Sequence, residues 1–333
     1  MTSTLTVLIA THNRVELLAR ALRYINEARR PAGWEIDILV AANACTDGTH
    51  ALLEQYNRDA PERGFAQRRL HMRWIAEPRA GKSHALNAAI PLLASDRTAF
   101  VDDDHRVDAT YFEGVCAAAD AFPEADIFCG RILPDWDGSE PDWVHDEGPY
   151  RIYPLPVPRY DLGDRPVRAP QDIAIPGGGN LVLRTSLFKI VGDFSVEYGP
   201  VGRSLSGAED QQWVSRAIAA GALVQYAPGI VQHHYVDQSR LRTSYLIEKA
   251  YERSASVVRL AGARRRGDVL PTYLVRKAAQ YGLAAVFAIS RRKRRFYVVR
   301  LAASLGEIKG SLLAARDRQR AGRRSSSGGG GGH

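Results

Sequence analysis

LTVLIATHNRVELLARALRYINEARRPAGWEIDILVAAN, residues 5–43, carries the pattern on which the fold turns. LTVLIAT (5–11) reads as a buried strand, RVELLARALRYINEA (14–28) sets apolar residues at helical spacing, and EIDILVAAN (35–43) reads as a second strand. The alternation continues outward. DGTHALLEQYN (47–57) starts a second helix with Thr46 or Asp47 as its cap, RWIAEP (73–78) gives a third strand, SHALNAAIPLLA (83–94) a third helix and TAFVDDD (98–104) a fourth strand. Strand and helix in turn predict βαβ units, hence an α/β fold with a mostly parallel sheet sandwiched by helices. In such sheets ligands bind beyond the carboxyl ends of the strands, where Thr11, residues 43–49 and Asp102 to Asp104 all fall.

Beyond GVCAAADAFPEADIFCGRIL the period is lost. Residues 134–176 are rich in proline, aspartate, tryptophan and tyrosine, and a loop of that length in a compact domain is functional or mobile. IPGGGNLVLRTSLFKIVGDF follows, then GAEDQQWVSRAIAAG, a helix opened by acidic residues, and LVQYAPGIVQHHYV, one or two short strands. From residue 239 to about 316 the chain reads as helices, and RQRAGRRSSSGGGGGH as a flexible tail.

Composition is that of a globular chain: 333 residues, 45% hydrophobic and 25% charged. The three cysteines lack zinc or redox spacing and fit a reducing compartment. The N-terminal apolar run is too short for a signal peptide, so a cytoplasmic location is expected. The net charge of +8 is concentrated in the last third, in ARRRGD (263–268) and RRKRR (291–295). Between them AAQYGLAAVFAIS (278–290) is too short to span a bilayer. It is either an apolar helix lying on an anionic membrane surface or a core helix with solvated basic ends.

Two carboxylates about 5 Å apart repel by roughly 3 kcal/mol at an effective dielectric near 20, so Asp102, Asp103 and Asp104 require a cation, a shared proton or open water. If the strand ends near Val101, Asp102 and Asp104 point roughly the same way and Asp103 the other, offering two oxygen donors to Mg2+ or Mn2+. PRAGKSHALN (78–87) imitates a phosphate loop at Gly81-Lys82-Ser83. The motif needs a glycine five positions earlier, where Ala76 stands, so only a general anion site at Arg79 and Lys82 remains open. Glu209 and Asp210 fall at a helix start, where the dipole favours carboxylates and simple capping accounts for a lone pair. His233 and His234 are either hydrogen-bonded structure or ligands.

Taken together and in order, TVLIATHNR, AANACTDGT, EPRAGKSHALNAA, FVDDDHRV, PGGGNLVLR, VGDF, GAEDQQW and VQHHYV resemble the inverting family 2 glycosyltransferases with the GT-A fold. The resemblance covers residues 5–240. It implies a Rossmann-like catalytic domain over 1–238, a basic C-terminal helical extension over 239–316 that can associate with membrane, and the tail over 317–333. It further implies a nucleotide-sugar donor, UDP- or GDP-linked, and a hydroxyl acceptor such as a lipid-linked or polysaccharide-precursor glycan. Thr11 and Asn13 would lie near the base, with Arg14 and Asn43 beside them. Asp47 would accept from base or ribose, Arg79 and Lys82 would face base or diphosphate, and Asn87 completes that stretch. Asp102 would contact the ribose, with Asp103 in the donor site, and Gly178, Gly179 and Asn180 would frame the donor sugar. Asp104 would bind a divalent metal, Mn2+ or Mg2+, with His234, better placed than His233, completing the site. Asp210 would be the general base and Glu209 would position the acceptor hydroxyl.

Rival readings are a nucleotidyltransferase, a non-catalytic sugar-nucleotide binder and a nucleic-acid binder. The first lacks its glycine-rich basic loop after the first strand, where THNR stands. The last lacks base-stacking aromatics among basic clusters in the first 240 residues, so no nucleic-acid partner is expected.

Overall fold

A computed structural model of the chain describes residues 2–58, 69–168, 178–196, 209–262 and 272–327. The chain divides into two units, one of Met1–Asp135 with Pro158–Tyr235, the other of Trp136–Val157 with Val236–His333.

The first unit holds β1 (Ser3–Thr11), α1 (Val15–Glu27), β2 (Trp34–Asn43), α2 (Thr49–Arg58), β3 (His71–Glu77), α3 (Lys82–Ala89), β4 (Arg97–Phe100), β5 (His105–Val107), α4 (Tyr111–Ala121), β6 (Ile127–Asp135), β7 (Val167–Arg168), β8 (Leu181–Arg184), α5 (Leu187–Val191), α6 (Glu209–Ala219) and β9 (Val224–Tyr235). The strands form one sheet in the order β3-β2-β1-β4-β8-β6-β9-β5, with β7 on β9. The expected βαβ half, β3-β2-β1-β4, is parallel throughout. Beyond it β8 runs antiparallel to β4 and β6, whereas β6 and β9 are parallel.

The continuous apolar runs of the first strands follow from burial on both faces. Leu5, Val7 and Ile9 of β1 join Ile38 and Val40 of β2 in one core, covered by Leu18, Leu22 and Ile25 of α1 and by Phe112 and Val115 of α4. Leu8, Leu39 and Phe100, one step out of phase, join a second core with Leu86 of α3 and Trp213 and Val214 of α6. The spacing of Leu18, Ala21, Leu22 and Ile25 puts all four on the buried stripe of α1. Each large side chain so covered contributes roughly 1.5–3 kcal/mol.

Helix ends are set by local causes. α3 stops at Ala89 and gives way to a 3-10 turn, Ile90–Leu92, because Pro91 has no amide hydrogen to continue the ladder. α2 begins at Thr49, and of its two cap candidates it is Asp47 whose carboxylate accepts from the Thr49 amide, at 3.1 Å.

The second unit holds α7 (Thr243–Gly262), α8 (Thr272–Val286) and α9 (Arg291–Ser327), with 3-10 turns at Asp142–His145 and Gln238–Leu241. Residues 136–157, part of the patternless loop, supply Trp143, Val144 and Val157 to a core with Val236, Leu241 and Leu246. α9 crosses α7 closely. A Cβ on Gly306 would stand 2.1 Å from the Tyr251 carbonyl oxygen, so only glycine admits this approach. α9 continues to Ser327, so helix extends into residues whose composition reads as a flexible tail. Its basic start is only partly solvated: Arg292 and Arg295 both reach Asp146, at 3.5 and 4.0 Å.

Candidate active site

The carboxyl ends of β1, β2 and β3 are tied together by side chains of the loops that follow them. Asn13 takes a left-handed backbone (φ 52°), which asparagine tolerates, and its Oδ1 accepts from the Thr46 and Asp47 amides at 2.7 and 3.2 Å. Asp47 accepts from the Val15 amide at 3.1 Å, so one carboxylate serves the starts of both α1 and α2. Asn43 is buried at the end of β2. Its Nδ2 donates to the Arg79 carbonyl at 2.7 Å, and its Oδ1 accepts from the Gly81 amide at 2.8 Å. Arg79 itself grips Glu77 through Nε and Nη2, at 2.8 and 2.9 Å, and these hydrogen bonds hold the Glu77 carboxyl down at about 2. The pair therefore stays ionised at neutral pH, and its contribution is lost only as pH falls through that value.

At the acidic corner the carboxylates do not sort as Asp102 with Asp104, since Asp103 and Asp104 share one Arg14 nitrogen. β4 ends at Phe100, and the His105 amide closes a turn onto the Asp102 carbonyl at 2.9 Å, so the three carboxylates fan out around a bend. Asp102 meets the Lys82 ammonium at 2.9 Å. Asp103 is buried, accepting from Thr11 Oγ1 at 2.8 Å and from Arg14 at 2.9 Å. Asp104 shares the same Arg14 nitrogen at 3.0 Å. Burial alone would raise the Asp102 carboxyl, but the charge of Lys82 brings it below its ordinary value. For Asp103 burial prevails over Arg14 and the carboxyl is pushed up. Thus each acid of the triplet has a cation beside it.

Lys82 also joins the corner to α6. Its ammonium lies 3.5 Å from Asp210, whose side chain is only 6% exposed at the first turn of that helix. The Glu209 side chain lies outside the described residues.

The opposite wall is formed by the antiparallel pairing of β5 with β9, which sets His105 directly across from His234 and Arg106 across from His233. His234 Nε2 lies 3.7 Å from one Asp104 oxygen and His105 Nε2 3.9 Å from the other, whereas His233 faces Asp108 at 3.6 Å. His105 Nδ1 lies 2.6 Å from Gln232 Oε1 and His234 Nδ1 2.6 Å from the Tyr235 carbonyl. Both partners accept, so both Nδ1 atoms carry the proton and both Nε2 lone pairs are presented to Asp104. Burial holds the His234 imidazole below its usual value, despite Asp104, and so favours the neutral ligand form.

One ligand atom from each of Asp104, His105 and His234 can be taken within 4.8 Å of the others. Two imidazoles and a carboxylate suit a transition-metal dication better than Mg2+, which prefers an all-oxygen set. The residues therefore fit a divalent ion. His105 was not singled out from sequence, although it directly follows the acidic triplet; only the strand register reveals it. Gln232, which orients His105 and donates to Asn180 Oδ1 at 3.0 Å, belongs to the VQHHYV stretch but has no role assigned from sequence.

Not every predicted donor contact faces open space. Asn180 is 0% exposed and donates to the Arg131 and Ile230 carbonyls at 2.9 and 3.0 Å, which makes it a brace between β6 and β9. Asn43 is likewise a latch for the Glu77–Gly81 loop. Asn87 donates to the Phe194 carbonyl and accepts from its amide, both at 2.8 Å, pinning the segment after α5. These amides are drawn inward because a buried amide must be hydrogen-bonded by the chain itself.

Gly178 and Gly179 open the 3-10 turn before β8. A Cβ on Gly179 would stand 2.4 Å from His105 Cε1 and 2.9 Å from Asp102 Oδ2, so the absent side chain makes room for both the histidine and the carboxylate. Gly179→Ala should lower stability by about 1–3 kcal/mol in urea unfolding, as overpacking does. It should also weaken Mn2+ binding by displacing His105. Unchanged unfolding and unchanged metal affinity would refute the steric account.

Residues 6–191 match the family described as Glycosyl transferase family 2. The chain is similar to the crystal structure of S. aureus TarS, with a TM-score of 0.53 at 15% identity, covering 92% of this chain and 55% of that one. It is similar to S. aureus TarS 1–349 in complex with UDP at the same TM-score of 0.53 and 14% identity, covering 95% of this chain and 92% of that chain. The chain thus spans about half the length of full TarS. At such identities the likeness is one of fold. No curated protein sequence matches the chain. The family match extends over more than half of the chain, from β1 through the acidic corner to α5, and the chain accordingly belongs to glycosyl transferase family 2, as a glycosyltransferase of GT-A-type α/β fold.

Proposed function

We infer that the enzyme moves a sugar from a nucleoside diphosphate donor to a hydroxyl acceptor in a single inverting displacement, with Asp210 as general base. The observation that carries this reading is the Lys82 bridge, 2.9 Å to Asp102 and 3.5 Å to Asp210, which brings a buried carboxylate to the edge of the acidic corner. Asp210 takes the acceptor hydroxyl's proton while the hydroxyl oxygen bonds the anomeric carbon and the bond from that carbon to the diphosphate breaks. Lys82 neutralises the carboxylates on either side and supplies positive charge to the diphosphate. Asp104, His105 and His234 would hold the divalent ion, which when bound acts as a Lewis acid on the leaving group. Asp102 serves the ribose, and Gly179 keeps the backbone close to the sugar. Asn13, Asp47 and Arg79 line the nucleotide end, and the UDP complex of the similarly folded TarS 1–349 favours a uridine donor.

Proton NMR of the first-formed product, with an α-linked donor and Mn2+, tests the stereochemistry. A β-linked product is expected. An α-linked product would exclude a single in-line displacement and would overturn the role given to Asp210.

The acceptor in this reading is a lipid-linked or polysaccharide-precursor glycan at the anionic cytoplasmic leaflet of the plasma membrane. No described helix is long and apolar enough to cross a membrane. The second unit nevertheless exposes Leu283, Val286, Phe287 (77%) and Ile289 (100%), followed by exposed Arg291, Lys293 and Arg294. Apolar side chains next to cations suit an interfacial location. In flotation with phosphatidylglycerol-containing vesicles, Phe287→Ser/Ile289→Ser should leave most of the protein at the bottom of the gradient. Flotation equal to wild type would remove the membrane reading.

A further inference from the structure

The second unit contains a cavity of about 770 Å³ unconnected with the chemistry described above. Its wall carries four cations, Arg151, Lys249, Arg253 and Arg300, and no aspartate or glutamate. Among the described residues none of the four has a carboxylate partner. Arg151 and Arg300 instead lie over the rings of Tyr153 and Phe296, at 4.9 and 5.5 Å. Elsewhere in this unit cations do find acids: Lys277 binds Glu307 at 2.8 Å and Lys309 binds Glu252 at 2.9 Å. Four like charges around one hollow repel each other and are stabilised by an anion entering it. Between the cations the lining is apolar, with Ile152, Leu155, Leu246 and Val299. A soluble phosphate would leave that floor uncovered.

We propose that this cavity binds one anionic phospholipid molecule, its phosphate between Arg151, Lys249, Arg253 and Arg300 and the start of an acyl chain on Ile152, Leu246 and Val299. The inference rests on and deepens the membrane-surface reading. That reading needs only a charged and apolar exterior; the cavity adds recognition of a single lipid.

The test uses the full chain and a short-chain phosphatidylglycerol below its critical micelle concentration, followed by isothermal titration calorimetry. Saturable binding at one lipid per chain is expected. Lys249→Gln/Arg253→Gln should weaken it about thirtyfold, at roughly fivefold for each cation lost. Ala250→Trp, which fills the hollow without altering its charge, should abolish it, with circular dichroism checking that the helices are intact. Arg291→Gln/Arg294→Gln, outside the cavity, should bind the monomeric lipid as wild type does while floating less well with vesicles. No saturable binding would overturn the proposal, as would equal binding by the Trp variant or equal affinity for inorganic phosphate. If monomer binding is seen but wild type fails to float, the membrane reading fails and the cavity stands as a lipid site. If wild type floats and no monomer binds, the cavity assignment alone fails.

Discussion

Asp210→Asn should lower kcat for sugar transfer about a thousandfold, within the range of about 10²- to 10⁴-fold supplied by a positioned general base. The substitution keeps the shape of the side chain and its place in the first turn of α6 and removes only its basicity. Donor KM should change little, because Lys82 keeps its closer partner, Asp102, at 2.9 Å. The measurement is nucleoside diphosphate release over a panel of UDP- and GDP-sugars with Mn2+ and acceptor present. The split between kcat and KM separates a base from a merely structural carboxylate, whose loss would weaken donor binding and stability together. Equal release by wild type and variant would reject the assignment of Asp210.

Chelation is expected to have an effect of similar size. EDTA should abolish turnover, and Mn2+ should restore it better than Mg2+, since two of the three candidate ligand atoms are imidazole nitrogens. Asp104→Ala should weaken Mn2+ binding, read by electron paramagnetic resonance, by at least the roughly ten- to hundredfold lost when even an outer partner of a metal site is removed. His105→Ala should do the same, whereas His233→Ala should leave the affinity unchanged because that ring faces Asp108. If Asp104→Ala and His105→Ala both bind Mn2+ as wild type does, the site lies elsewhere. Mg2+ restoring turnover fully while Mn2+ does not would overturn the preference drawn from the imidazoles.

Much of the first unit is legible from local pattern. LTVLIAT and EIDILVAAN announce strands covered on both faces, and the 18, 21, 22, 25 spacing announces the buried stripe of α1, because these depend only on which side of the backbone each residue projects. The carboxylates at the end of β4 and the glycines before β8 are legible as clusters of one residue type, although the turn there decides which way each carboxylate points. What pairs with them is less so. His105 stands beside the acidic triplet in sequence, yet its meaning comes from facing His234 across β5 and β9. Asn87, Asn43 and Asn180 look like ligand contacts when read as motif members. Only packing reveals that their amides hold loops and strands together, because an asparagine's burial is decided by distant parts of the chain. The patternless residues 136–157 reveal no destination in sequence, since the partners of Trp143 and Val157 in their core begin at Val236.

By itself, then, the sequence determined the α/β class, the order of strand and helix over the first hundred residues, and the clustering of acidic and glycine-rich stretches at strand ends. Each is a short-range property of hydrophobic period and backbone preference. Tertiary structure alone decided that Lys82 lies between Asp102 and Asp210, that His105 joins Asp104 and His234, and that four cations of the second unit surround one hollow. Those depend on strand register and helix packing, where free energy is shared among residues far apart in the chain and no local pattern records the outcome.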